Sequence, residues 1–170
     1  QPYFMHFVFE ALAEAGLFEE NAVCQMRRWD AMLAEHPASL KEMWNGGDYS
    51  HAWGGSPGYQ MSSKILGITP IDSGFGSIRV KPHTCGLKWA RGQVPAPMGL
   101  IGVEWQKCDR EFRMNVSVPD GTVGVIHLPI HGFSLPKILV EGKAIELSRE
   151  PGRIVYKMLS KSCGFTVTEE

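Results

Sequence analysis

At Gly67 the hydrophobic rhythm of the chain changes, and no other feature limits its fold as much. Before that glycine, apolar residues recur about every 3.6 positions; after it they alternate. The first stripe runs Phe4, Phe7, Val8, Ala11, Leu12 and Ala15, with Phe9 widening it and Gly16 supplying a stop. A second helix is expected from about Glu19 to Glu35, with Ala22, Val23, Met26, Trp29 and Leu33 inward. Glu19 and Glu20 suit its first turn, and Pro37 prevents its continuation. These two helices form an αα-hairpin. Ser56 as N-cap and Pro57 as first helical residue start a third helix, which runs to Leu66 and stops at Gly67. Three helices with faces this broad cannot bury them on one another, so this part of the chain wants further helices as partners.

Beyond Gly67, a linker punctuated by Pro70, Gly74 and Gly76 gives way to strands. Residues 77–82, 101–105 and 112–118 alternate apolar and polar side chains, and residues 87–90 lead to a further strand around Val94. Pro119-Asp120-Gly121 turns the chain into a strand from Val123 to Leu128. Ile138–Val140 and Ala144–Leu147 flank Glu141-Gly142-Lys143 as a hairpin, and Arg153–Met158 and Gly164–Thr168 follow. About eight short strands at regular spacing predict an antiparallel β-sandwich. Trp89 and Trp105 are expected in its core, and Trp29 in the helical core. The fold class is therefore α+β by segments, with a helical part over 1–67 and a sandwich over 68–170.

Charge excludes several functions. The formal net charge is −1, with neither a basic stripe nor a global field to attract nucleic acid or an anionic membrane. No apolar run approaches the roughly 18 residues of a membrane helix. The cysteines Cys24, Cys85, Cys108 and Cys163 lack CxxC spacing, and His36, His83, His127 and His131 lack metal-ligand spacing. No phosphate loop or nucleotide fingerprint is present, so no cofactor or metal is expected. Gln1 opens directly on a helical pattern, as in a chain taken from within a longer protein.

The chemistry concentrates in the loop between the second and third helices, where Glu42, Trp44, Asp48, His51 and Trp53 fall within a Gly-rich stretch. A loop held at both ends by helices can aim side chains into a cleft. Glu beside Trp suits carbohydrate chemistry, because a carboxylate serves as acid or base while an indole packs on the apolar face of a sugar. The same residues also fit a solvated connector with two core-anchoring tryptophans.

A series of short words in order carries a resemblance: Pro2-Tyr3-Phe4, Glu10–Gly16, Trp29–Leu33, Glu42-Met43-Trp44, Ser50-His51-Ala52-Trp53, Ile65–Pro70, Ile78–Pro82 and Gly92–Gly99. Together they resemble the C-terminal end of bacterial α-L-rhamnosidases of glycoside hydrolase family 78, most clearly from Tyr3 to Trp105. The resemblance implies the last helices of an (α/α)6 barrel followed by a C-terminal β-sandwich. It implies an inverting hydrolase with Glu42 as general base and an upstream acidic residue as general acid. His51 matches a histidine that contacts rhamnose, and Trp44 and Trp53 match aromatics lining the pocket. The implied partners are a rhamnoside substrate and the remainder of the barrel. This sequence departs from the family where Ala38-Ser39-Leu40-Lys41-Glu42 replaces Thr-Thr-x-x-Glu, with Lys41 in place of a large aromatic, and where Gly54-Gly55 follows Trp53. Two other readings stand beside this one: a non-catalytic carbohydrate-binding or structural sandwich with a helical appendage, and a helical-barrel glycosidase of another sugar specificity.

Overall fold

Gly16, at φ 72°, closes the first helix α1 (Met5–Glu14) and turns the chain into α2 (Phe18–Met26). The computed structural model describes residues 1–130, 132–144, 148–159 and 161–169. His131 and the Ile145–Leu147 arm of the expected hairpin lie outside the described residues.

The single helix expected over Glu19–Glu35 is broken. A 3-10 turn at Arg27–Trp29 separates α2 from α3 (Asp30–Glu35). Its tighter winding advances the phase of the helix. Met32 therefore faces inward, and Leu33, expected there, is exposed. Phe9, Phe18, Ala22 and Trp29 form the buried centre, with Phe9 stacked on Trp29 and edge-on to Phe18. Phe4 and Phe7 remain more than half exposed, so the first stripe is only partly covered by these helices. The third helix is also not uniform. Gly55 rather than Ser56 is the N-cap of α4 (Ser56–Gln60), and a π-helical turn, Met61–Ile65, replaces its last part.

The chain divides into two units, Gln1–Met61 and Ser62–Glu170. The boundary falls upstream of Gly67 because the residues just before that glycine are tied to the strands. The Trp105 indole donates to the Ile65 carbonyl at 3.0 Å, and the His83 amide donates to the Lys64 carbonyl at 2.9 Å. At Gly67 itself φ is +81°, and a Cβ would lie 2.2 Å from the Lys81 carbonyl carbon. Only glycine fits both the conformation and the space.

The second unit contains β1 (Ile68–Pro70), β2 (Ser77–Val80), β3 (Trp89–Ala96), β4 (Gly99–Cys108), β5 (Glu111–Ser117) and β6 (Val123–Pro129). It continues with β7 (Pro136–Val140), β8 (Lys143–Ala144), β9 (Ser148–Glu150), β10 (Arg153–Met158) and β11 (Ser162–Glu169). One sheet has the order β1-β2-β6-β10-β9 and the other β3-β4-β5-β11-β7-β8. The sandwich is as expected, with one amendment to its pairing: β2 and β6 run parallel. The chain leaves β2 to build β3, β4 and β5 in the other sheet, and returns to the free edge of β2 in the same direction.

Alternation places Ile101, Val103 and Trp105 of β4, and Phe112, Met114 and Val116 of β5, in the core. Trp105 is fully buried, but Trp89 is 65% exposed, contrary to the expectation that both are core. Register explains the difference. Ala90 pairs with Trp105, so Trp89, its neighbour, points to the opposite face beside Gln106. None of the four cysteines is disulfide-bonded, and burial pushes the Cys163 thiol up to about 11.

Gly67→Ala is expected to destabilise the sandwich by more than about 2 kcal/mol, because it combines a left-handed strain with a backbone clash. Thermal unfolding followed by near-UV circular dichroism checks this, and Gly121→Ala, with open space around its Cβ, is the control for positive φ alone.

Candidate active site

The loop after α3 is closed as an irregular hairpin. The Glu42 amide donates to the Asp48 carbonyl at 3.3 Å, and the His51 amide donates to the Leu40 carbonyl at 3.0 Å. Ser39 Oγ accepts from the Ser50 amide at 2.6 Å. Gly46 and Gly47, at φ 91° and 80°, make the turn between the arms, and Ser50 also adopts a positive φ of 57°. A glycine-rich sequence is needed here because the turn uses the left-handed region repeatedly.

Beneath the loop, Trp29 donates its indole N–H to the Gly54 carbonyl at 2.7 Å. A Cβ on Gly54 would lie 2.7 Å from the Lys41 carbonyl oxygen, so the 3-10 turn Ala52–Gly55 seats directly against the loop. The Gly54-Gly55 pair that distinguishes this sequence therefore has a packing role at its first position.

Lys41, in the place of an aromatic, is buried and turned away from solvent. Its ammonium reaches Glu35 Oε1 at 2.5 Å and lies 4.8 Å from the centre of the Tyr49 ring. Tyr49 donates its hydroxyl to the same carboxylate oxygen at 2.7 Å. The Lys41 hydrogen bond, followed by that of Tyr49, holds the Glu35 carboxyl below its ordinary value, and the Glu35 bond raises Lys41. This bracket ties the root of the loop to α3. Little in the sequence signals it, because a Lys beside a loop Glu reads as a solvated neighbour.

Each expected site residue has a distinct setting. Glu42 is half-buried, and among the described residues its carboxylate makes no hydrogen bond or ion pair. His51 is half-buried with its Nδ1 covered and without a partner among the described residues. Its ring lies edge-on to Trp53 at 5.3 Å, and Trp53, 58% exposed, lies 4.9 Å from Tyr3. These three rings make one aromatic group. Trp44 is elsewhere: it meets Trp29 edge-on at 4.7 Å, and the Arg28 guanidinium sits 4.5 Å from its ring centre. One face of Trp44 is thus occupied by a cation, while Trp53 presents an open one. Tyr3 was not singled out from the sequence, since nothing local connects it to a residue fifty positions away. Among the described residues no group of three or more His, Cys, Asp or Glu side chains is placed to hold a metal ion, and no helix is long and apolar enough to cross a membrane.

Residues 67–134 match the family model for the bacterial alpha-L-rhamnosidase C-terminal domain. Over these residues, about two fifths of the chain, the protein is similar to that domain. An α-L-rhamnosidase from Streptomyces avermitilis is 25% identical over 150 residues, covering 88% of this chain and 14% of that protein. The structure of α-L-rhamnosidase from Dictyoglumus thermophilum superposes with a TM-score of 0.83 at 24% identity, over 95% of this chain and 20% of that one. The Streptomyces avermitilis α-L-rhamnosidase complexed with L-rhamnose superposes with a TM-score of 0.77 at 20% identity, over 94% and 17%. Both structural matches speak for the fold alone, and they extend over nearly the whole of this chain. The chain thus spans less than a fifth of the length of its Streptomyces relative.

The Glu35–Lys41 pair makes the loop pH-sensitive at both ends of the scale. Glu35 is depressed in the folded state, so its contribution is present above the ordinary carboxylate value of 4.5 and is lost as pH falls through the lower folded value. Lys41 is raised, so its contribution is present below its ordinary 10.5 and is lost as pH rises through the folded value. Glu35→Gln is expected to return the Lys41 ammonium towards its ordinary value and to speed amide exchange at Glu42 and His51. NMR titration of the lysine side chain together with hydrogen exchange measures both.

Proposed function

We propose that the chain is the C-terminal part of an inverting glycoside hydrolase that removes terminal α-L-rhamnose from glycosides or polysaccharides. In this reading residues 1–67 are the last helices of an (α/α)6 catalytic barrel and 68–170 its C-terminal β-sandwich. Glu42 is the general base, His51 contacts the bound rhamnose, and Trp53 and Trp44 line the pocket. The observation that supports it best is the state of Glu42. A loop clamped by backbone hydrogen bonds and the Trp29 indole offers a carboxylate with no protein partner among the described residues. A general base needs that freedom, because its lone pair must accept a proton from water. Inversion needs the base on the far side of the sugar ring from the acid, about 6.5–9.5 Å away, with water between them. The acid comes from a residue upstream of Gln1. The half-buried His51 ring and the exposed indole of Trp53 beside it supply a polar and an apolar contact for one sugar ring.

The test is kinetic and uses the longer enzyme. Glu42→Gln preserves shape and hydrogen bonding but cannot take a proton, so kcat is expected to fall by about 10²–10⁴-fold with little change in rhamnose binding. His51→Ala is expected to weaken binding by roughly 0.5–1.5 kcal/mol. Proton NMR of the first-formed product should show β-rhamnose. Near-normal kcat in Glu42→Gln, or α-rhamnose formed first, would mean that the base or the stereochemistry is wrong.

The 170-residue chain alone is expected to be inactive on p-nitrophenyl α-L-rhamnoside, because it carries the base without its acid. Turnover by the isolated chain at the rate of the longer enzyme would contradict this division of labour.

A further inference from the structure

We propose that the outer face of the six-stranded sheet binds a neutral oligosaccharide, in the hollow over Gly102 and Gly164. This site lies wholly within the sandwich and is independent of the Glu42 reading.

Gly102 and Gly164 are strand glycines that backbone geometry does not require. Glycine weakens a strand interior, and where it persists it marks a bulge, a bend or a close approach by another group. No bulge is present: register is continuous from Gln93 through Gly102 to Ser117, and from Asn115 to Gly164. Neither glycine has a positive φ. A third strand glycine, Gly92, lies on the inward face instead, where its Cβ would meet the buried Leu66 Cδ1 at 2.6 Å. Gly102 and Gly164 instead form the floor of a hollow of about 460 Å³, within the roughly 300–1,000 Å³ range of ligand sites. A Cβ on Gly102 would lie 2.6 Å from Ser117 Oγ, and one on Gly164 3.2 Å from Asn115 Oδ1.

Around that floor, Arg91, Glu104 and Asn115 stand in one cross-strand row, with Gln93 and Ser117 in the next. Among the described residues the side chains of Arg91, Gln93, Glu104 and Asn115 make no hydrogen bond or ion pair. Glu141 leans over from the β7–β8 turn, and its Oε1 accepts from the Gly164 amide. Trp89, on the same face and one row further along β3, is the 65% exposed indole that the core does not use.

The lining selects the ligand. An apolar partner would bury these polar side chains without giving them partners, which is costly. An anionic ligand would meet Glu104 and Glu141 against a single Arg91. Sugar hydroxyls both donate and accept, so they match a mixture of guanidinium, carboxylate and amides. The apolar face of a pyranose matches Trp89. Trp89 stands one row beyond the lining of the hollow, so a chain of sugars can meet both.

The test is amide NMR of the 170-residue chain titrated with maltohexaose, with an α-linked rhamnose trisaccharide, and with trigalacturonate as the acidic probe. At least one neutral probe should produce saturable shifts at Gly102, Gly164 and the Trp89 indole, with an affinity of about 1 mM or better. Trp89→Ala and Asn115→Ala, both exposed, should each weaken binding about tenfold while the melting temperature is kept. Gly164→Val should abolish it, and if that variant fails to fold the two exposed variants decide. Absence of shifts there up to ~30 mM of both neutral probes overturns the proposal. So do shifts confined to other residues, insensitivity to the exposed variants, or trigalacturonate binding as tightly as the neutral sugars.

Discussion

Trp29 donates its one hydrogen to the Gly54 carbonyl while its ring is held between Phe9 and Trp44. That arrangement joins the helical core to the segment carrying His51 and Trp53. An indole can do this because it is large enough to fill a core and still has a polar edge that must be satisfied when buried. Without it, the carbonyl of a turn that packs on the Lys41 backbone would be left inside with no donor, and such a group is expensive. The close approach of Gly54 to the Lys41 carbonyl lies at this same bond.

The loop thus resolves two opposed requirements. Under the proposed function its candidate side chains must be free, while its backbone must not move. The backbone is fixed by the Ser39 hydroxyl and the Leu40 and Asp48 carbonyls, and the Glu35 carboxylate holds the Lys41 side chain beside them. Glu42 and the ring nitrogen of His51 are then left unspent. Lys41 shows the same economy. Its charge is directed away from Glu42 and is neutralised by Glu35, so the carboxylate next in sequence is not drawn into an ion pair.

Much of this was visible in the chain before the structure. The switch of period at Gly67, the helix stop at Gly16 and the glycine-rich turn of the loop at Gly46-Gly47 are local signals, and each follows from residue type and spacing. What failed was phase. The 3-10 turn at Arg27–Trp29 moved the inward position from Leu33 to Met32, and a helical period carries no information about where it will be tightened. Trp89 failed for a related reason. On an edge strand the residues facing in are Ala90, Gly92 and Val94, small because Leu66 and Trp105 already fill the space. Judged alone, the strand seems to offer its tryptophan to the core; only the neighbouring strand's register reverses this. The parallel β2–β6 pair was equally hidden, since strand direction within a sheet is decided by the path of the intervening chain.

The sheet order also governs how the sandwich can be assembled as the polypeptide emerges. β11, the last strand in the sequence, lies between β5 and β7, and β10 lies between β6 and β9. Each sheet is therefore completed from within by a strand that is made late. Until then β5, β6 and β7 carry open hydrogen-bonding edges, the feature through which strands recruit other chains. Ribosomal synthesis at about 5–20 residues per second leaves those edges unpaired for seconds. Nascent chains of this kind have reason to depend on a holding chaperone, and a premature stop before residue 153 would produce not a shortened sandwich but two unfinished sheets prone to pair with one another.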